Sequence, residues 1–129
     1  MAVTYSTAVK TARMTALRDQ IDAGGAAGKI EIGTTGMATV LATIPLGFSG
    51  ATTGTVTGAV LTLAGFPRSD TAADATGTAA AARIRTSANV DVVTGLTVGL
   101  SASDINLDSL SITTGQIVTL NSATITHAT

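Results

Sequence analysis

Residues 29–46, KIEIGTTGMATVLATIPL, decide the fold class of this chain. Apolar and polar side chains alternate over residues 29–32, the chain turns at 34–36, and the alternation resumes over 40–46. A period of two is typical of a β-strand that buries one face. Pro45 cannot donate a hydrogen bond to a neighbouring strand, which places the second strand at a sheet edge or ends it early. The stretch therefore predicts two consecutive strands joined by a turn.

The rest of the chain after residue 46 repeats this pattern in short runs separated by Thr-Gly, Ser-Asp and Asn-Ser turns. Residues 47–54 are predicted to form a loop, 55–63 a strand kinked at Gly58, and 78–87 another strand. Further strands are predicted at 90–93, 96–100, 105–107, 110–112, 116–120 and 123–127. Many short strands at this spacing indicate a sandwich or a barrel. We predict one antiparallel β-domain over residues 29–129.

Residues 6–23 are predicted to form the helix that precedes this domain. Ser6 is a favourable N-cap, and the pair Gly24-Gly25 suits a helix end. Apolar residues at spacings of three and four predict a narrow buried stripe of Val9, Ala12, Ala16, Leu17 and Ile21. The charged residues predicted on the other faces are Lys10, Arg13, Arg18 and Asp19. The helix and its glycine-rich turn, residues 1–28, make up the first of two predicted units.

The composition leaves few groups for chemistry. The 129 residues include no Cys, no Trp, one His and three other aromatic residues, and only 12% are charged, against about 25% in soluble domains. The seven Lys and Arg are scattered, which argues against nucleic-acid binding. Thr and Gly interrupt every apolar run before the ~20 residues that a membrane span needs. We expect a structural or assembly protein that is not an enzyme and has no cofactor.

The spacing of Asp104, Asn106 and Asp108 is similar to the start of a calcium-binding loop. The glycine and the distant glutamate of an EF-hand are missing, and Ile105 and Leu107 alternate with the polar residues as in a strand. We therefore predict that Ile105 and Leu107 point into the core and that no metal is bound.

Two other patterns also have structural interpretations. Residues 24–29, GGAAGK, are similar to a phosphate-binding loop, but Ile30 stands where that loop requires Ser or Thr. His127 has no Cys or local carboxylate with which to form a zinc site. We predict a helix-to-strand turn at 24–29 and a histidine ring that packs on a neighbour, so no catalytic residue is assigned.

Arg83 and Arg85 share one face of a predicted strand, and no acidic residue adjacent in the sequence pairs with them. Two interpretations remain open: a solvated face, or a contact with another subunit, where arginine is enriched. On the second interpretation, the candidate interface residues are Arg13, Leu17, Arg18, Ile21, Arg83 and Arg85.

Two regions of the chain together resemble a known family. The first is the helix end at 17–24 leading into 28–32, and the second comprises 104–107, 112–118 and 123–127. This combination resembles the head decoration, or cement, proteins of tailed bacteriophages. The resemblance implies a jelly-roll-type β-sandwich behind an N-terminal helix. It also implies a place on the outer surface of the virion capsid, where the protein bridges subunits of the major capsid protein.

Other functions remain open at this point. A related virion role, in a tail, baseplate or fibre, fits the same composition. A carbohydrate-binding module normally needs exposed aromatic rings, of which this chain has few. Because a thin core and open sheet edges favour closed homo-oligomers, we predict a homodimer or a homotrimer on the particle.

Overall fold

The computed structural model describes residues 3–48 and 53–127. Within these ranges one α-helix, α1 (Thr7–Ile21), precedes twelve β-strands, which confirms a mainly β protein with an N-terminal helix. The strands are β1 (Lys29–Gly33), β2 (Val40–Pro45), β3 (Gly54–Thr57), β4 (Val60–Leu63), β5 (Arg68–Asp70), β6 (Gly77–Thr78), β7 (Ala81–Arg85), β8 (Asp91–Leu96), β9 (Val98–Gly99), β10 (Ile105–Leu107), β11 (Ser111–Ile112) and β12 (Val118–Thr126). A single 3-10 turn, Thr35–Met37, joins β1 to β2. In the predicted loop 47–54, residues 49–52 lie outside the described ranges.

The first sheet has the strand order β2-β1-β7-β8, and each neighbouring pair is antiparallel. Ile30 of β1 lies opposite Ile44 of β2 on one side and Ile84 of β7 on the other, and all three are fully buried. The alternation in 29–46 thus sets the inner face of this sheet. As Pro45 predicted, β2 is an edge strand.

The second large sheet has the order β3-β4-β12-β10-β9, with β5 also paired to β12, and a small sheet joins β6 to β11. The prediction of a wholly antiparallel domain is wrong at one pair, because β9 and β10 run parallel. The short linker, residues 100–104, returns the chain to the start of β9, so that Ile105 of β10 lies beside Val98 of β9. All other strand pairs are antiparallel.

Two predicted strand boundaries in the second sheet are wrong. Residues 55–63 form the hairpin β3–β4 rather than one kinked strand, because Gly58 has a φ of 59° and reverses the chain. Residues 116–127 were predicted as two strands, but β12 runs without a break through the expected Asn-Ser turn. It continues because β5, β10 and β4 pair with successive parts of it.

The predicted strand 78–87 is also divided. Its first residue belongs to β6, which pairs with β11, and residues 81–85 form β7 in the first sheet. Ala79 donates its backbone N–H to the Leu110 carbonyl at 2.8 Å between the two strands. The segment therefore connects the small sheet to the first large sheet.

One cluster of buried apolar side chains includes residues from α1 and from both large sheets. It consists almost entirely of aliphatic residues, as the shortage of aromatic residues requires. Its fully buried large members are Ile21, Ile30, Ile32, Leu41, Ile44, Leu61, Ile84, Ile105, Leu107, Ile112, Leu120 and Val118.

Helix α1 begins as predicted, because the Ser6 Oγ accepts a hydrogen bond from the Val9 amide at 3.3 Å. Its buried face agrees with the predicted stripe at Leu17 and Ile21 and differs from it at the other positions. Met14 and Ile21 are 3% and 0% exposed, and Leu17 packs beside them. Val9, by contrast, is 41% exposed.

The remaining two members of the predicted stripe, Ala12 and Ala16, are exposed as well. A buried alanine contributes little apolar area compared with a methionine, a leucine or an isoleucine. The helix therefore turns its three large apolar side chains toward the core and leaves the small ones outside.

Side chains cover the outer edge of β2. Asp70 accepts a hydrogen bond from the Thr43 amide at its Oδ2, at 2.9 Å, and the Asp74 amide donates to the Leu41 carbonyl at 2.7 Å. An uncovered edge strand is a template for pairing with another chain. Here the segment after β5 occupies that position.

Helix α1 covers the β3 edge of the second sheet. The Thr11 hydroxyl contacts the Gly58 carbonyl at 2.7 Å, and the Arg18 Nη1 donates to the Gly54 carbonyl at 3.4 Å. Strand β8, at the far edge of the first sheet, has two irregularities in its pairing with β7. Such bulges twist an edge strand and make regular pairing with another chain less favourable.

Candidate functional site

Five ionisable side chains lie together on the outer face of the first sheet. Cross-strand pairing places Glu31 of β1 opposite Arg83 of β7, and Lys29 opposite Arg85. Asp91 of β8 pairs with Arg85 from the other side. Because successive side chains of a strand point to opposite faces, these residues lie on the side away from the buried isoleucines. We call this surface the charged face.

Short ion pairs join the members of the charged face. The Arg83 Nε donates to the Glu31 Oε1 at 2.6 Å, and the Arg85 Nε donates to the Asp91 Oδ1 at 2.6 Å. The Arg85 Nε also lies 3.7 Å from the Glu31 Oε1. Glu31 is only 8% exposed, although it lies on the outer face, so the arginines shield it from solvent.

These contacts revise the interpretation of Arg83 and Arg85. No acidic residue adjacent in the sequence was available to pair with them, whereas in the structure each arginine has an acidic partner, and Asp91, the partner of Arg85, is only six residues away. Glu31 is 52 residues from Arg83 in the chain, and the pairing of β1 with β7 brings them together. Neither arginine is on a freely solvated face, since their side chains are 20% and 23% exposed.

The Arg85–Asp91 pair changes the pKa of both groups. The hydrogen bond from Arg85 is the largest cause of a pKa of Asp91 below its usual value of 3.8. The same hydrogen bond raises the pKa of Arg85. Both side chains are therefore charged over the whole range near neutral pH.

The turn between β7 and β8 fixes one end of the charged face. The Thr86 Oγ1 accepts hydrogen bonds from the amides of Ala88 and Val90, at 3.2 and 3.3 Å. Asn89 has a φ of 63°, and its Oδ1 accepts a hydrogen bond from the Lys29 Nζ. Asparagine is one of the few residues that adopt this left-handed conformation readily. Lys29 is thereby held beside Arg85.

A cleft of about 320 Å³ lies between the C-terminal half of α1 and residues 86–92. Leu17, one of the predicted interface residues, lines it. The other lining residues are Gln20, Ala23, Gly24, Thr86, Ala88, Val90, Asp91 and Val92. Asp91 is the one ionisable side chain among these residues. The cleft is a mainly apolar depression next to the charged face.

The other predicted interface residues lie apart from the charged face. Ile21 is fully buried in the core. Arg18 was expected on an outward face of α1, but it is half-buried against β3, and its Nε is buried without a hydrogen-bond partner among the described residues. The exposed Arg13 guanidinium lies 4.0 Å from the centroid of the Tyr5 ring, which is a cation–π distance.

The ring of Tyr5 also contacts His127 edge to face, with 6.2 Å between ring centroids. This contact confirms that His127 packs on a neighbouring side chain. The His127 amide donates to the Ala59 carbonyl at 2.7 Å, so the end of the described chain is tied to the β3–β4 turn.

The predicted orientation of strand 105–107 is confirmed. Ile105 and Leu107 are 0% and 1% exposed. Asp104 accepts a hydrogen bond from the Thr97 amide at 3.0 Å, and the Asn106 Nδ2 donates to the Ser122 Oγ at 2.9 Å. Across residues 3–48 and 53–127, no three acidic, histidine or cysteine side chains come together as metal ligands would.

Comparisons with protein-family models, curated proteins and solved structures find no significant match to this chain. In the part of the chain that the structure describes, α1 is too short and too polar to cross a membrane, and no other helix is long and apolar enough to cross one.

Proposed function

We propose that this protein is a structural virion protein that decorates and stabilises the outside of a bacteriophage capsid by bridging subunits of the major capsid protein. On this proposal it is not an enzyme and uses no cofactor, and its partners are the capsid and other copies of itself. It contacts neither nucleic acid nor a membrane.

The observation that carries the proposal is the arrangement of the half-buried charges. Glu31, Arg83, Arg85 and Asp91 pair with one another across the surface of a sheet, and Asp91 is the one member of this set that also lines the cleft. An enzyme site typically places ionisable groups in a concave, largely apolar pocket where their pKa values shift. A flat, polar sheet surface with arginines at its centre is better suited to contact with another protein.

The sequence resemblance supplies the identity of that partner. The helix end at 17–24 and the C-terminal stretches 104–107, 112–118 and 123–127 resemble phage decoration proteins. The resemblance also leads us to propose that the two large sheets are the layers of a jelly-roll-type sandwich. The single buried cluster that includes residues of both sheets supports this arrangement.

We further propose that copies of the chain associate as dimers or trimers on the particle. Because the edges of β2 and β3 are covered, the contacts between copies do not use these two edges, which leaves the sheet faces, the loops and the edges of β8 and β9. Monomers seated singly in a reconstruction of the particle would contradict this part of the proposal.

The test is the temperature at which particles release packaged DNA. Particles that lack the protein should assemble but release DNA at a lower temperature, since many weak contacts on a symmetric shell add up through avidity. Adding purified protein to these particles should restore the higher release temperature. Equal release temperatures with and without the protein, or its localisation to the tail, would overturn the proposal and favour the tail, baseplate or fibre role.

A further inference from the structure

We infer that Arg83 and Arg85 form a receptor for carboxylate groups on an extended acidic segment of the partner protein. The inference rests on the proposed function, because it names the chemistry of the surface that the protein binds. It depends on the spacing of the two arginines, on their unused hydrogen-bond donors and on the charges around them.

The two guanidinium groups project from alternate positions of one strand. Arg83 and Arg85 are two residues apart in β7, so their side chains leave the sheet about 7 Å apart on the same face. Acidic residues at alternate positions of an extended segment have the same separation. Each arginine could therefore face one carboxylate of such a segment.

Each arginine uses only part of its hydrogen-bonding capacity within the chain. Arg83 and Arg85 donate through Nε, and neither forms a hydrogen bond from its Nη nitrogens to a described residue. Among the described residues, the Arg18 Nε is the one side-chain nitrogen or oxygen that is buried without a partner. The Nη nitrogens of Arg83 and Arg85 therefore reach solvent. A pair of Nη donors matches the two oxygens of a carboxylate.

The acidic neighbours hold these donors in place. Glu31 and Asp91 each bind an Nε at 2.6 Å, which restricts the rotation of the arginine side chains. A side chain that is already ordered loses less entropy when it binds a partner. Both acids therefore position the arginines and leave their outer donors available.

The charges around the face are close to balanced. Lys29, Arg83 and Arg85 contribute three positive charges and Glu31 and Asp91 two negative charges, and the Asp74 carboxylate adds another beside the face, where it accepts a hydrogen bond from the Thr43 hydroxyl opposite Glu31. A nucleic-acid backbone requires an excess of positive charge to displace its counterions. A short protein segment whose carboxylates accept hydrogen bonds from the two guanidinium groups fits this balance better.

The experiment uses a fluorescein-labelled peptide of six residues with glutamate and threonine alternating, and the full-length protein at low salt. Fluorescence anisotropy should show binding of this peptide and none of its glutamine counterpart. The double variant Arg83→Lys/Arg85→Lys keeps both charges but lacks the planar forks, so the peptide should bind about tenfold more weakly. Arg13→Lys, on α1 and apart from the charged face, is the matched control and should bind as the wild type does.

The inference would be overturned if the double variant bound the peptide as strongly as the wild type, or if the Arg13→Lys control lost as much binding as the double variant. Stronger binding of an oligonucleotide of the same length would do the same. Circular dichroism melts of each variant show whether it is folded. A second measurement does not depend on the variants: in the wild-type protein, the amide chemical shifts of Lys29–Gly33 and Ala81–Arg85 should change when the peptide binds.

The DNA-release assay separates this inference from the proposed function. If the wild-type protein and the double variant raise the release temperature by the same amount, the inference of a carboxylate receptor is wrong and the decoration role stands. If wild-type protein binds the peptide but leaves the release temperature unchanged, the decoration role is wrong and the receptor keeps its support.

Discussion

The inner face of α1 and the charged face are held in place by different forces. Met14 and Ile21 are buried where α1 packs onto the core, and Leu17 is partly buried beside them. The charged face is ordered by ion pairs that stay in partial contact with solvent. Truncating a buried isoleucine or leucine costs about 2–5 kcal/mol, whereas removing the charge of one buried partner in an ion pair costs about 1–3 kcal/mol. Burial of apolar side chains therefore contributes most to stability, and the ion pairs contribute less while they orient the arginines.

The largest expected effect is at Ile21. Ile21→Ala should lower the free energy of unfolding by about 2–5 kcal/mol, because the side chain is fully buried and a cavity remains. Chemical denaturation followed by circular dichroism measures the change. Val9→Ala on the exposed side of the same helix is the control and should change stability by less than about 0.5 kcal/mol. If the two variants lose the same stability, α1 is not docked through the face described here.

An intermediate effect is expected at Glu31. Glu31→Gln keeps an acceptor for the Arg83 Nε but removes the negative charge between two arginines, so we expect a loss of about 1–3 kcal/mol in unfolding free energy. The same denaturation experiment measures it. Asp19→Asn is the matched control, since the Asp19 side chain is 63% exposed and only 3.6 Å from Arg18. A Glu31→Gln variant as stable as the control would show that the charged face contributes nothing to folding.

The smallest effect is expected at Asp91 and depends on pH. Folding lowers the pKa of Asp91 below its usual 3.8, so its stabilising contribution is present above that pH and is lost as the pH falls through the lower value. Thermal melts between about pH 5 and about pH 2 should therefore show a shallower loss of stability for Asp91→Asn than for the wild type. Identical slopes would mean that the Arg85–Asp91 hydrogen bond does not persist in solution.

Local features of the fold were accessible from the sequence, and long-range ones were not. The alternation in 29–46 and the Ser6 cap correctly predicted β1, β2 and the start of α1. The helix face was misjudged because alanine was counted equally with larger apolar residues, and Met14 was left out of the stripe. A turn at Gly58 and a kink at Gly58 look alike in one sequence, since both use the same conformational freedom of glycine.

The candidate site was predicted only in part, for the same reason. Arg83 and Arg85 were identified as a pair on one face, but their partner Glu31 is 52 residues away and was assigned to a strand without a role. The register between β1 and β7 brings Glu31 to the arginines, and the β7–β8 hairpin adds Asp91, a partner six residues from Arg85 that the sequence analysis overlooked. Arg18 likewise contacts the edge of β3, and no local pattern in the sequence predicts that this edge lies beside α1.

The contact between Tyr5 and His127 has a consequence for engineering the chain. The two rings are in contact, so Tyr5 and His127 lie on one patch of the surface, beside the Gly58–Ala59 turn. A short flexible linker from Tyr5 to His127 would close residues 5–127 into a ring, which could then be opened in an exposed turn elsewhere. Peptides attached at Tyr5 and at His127 of this fragment would be displayed side by side.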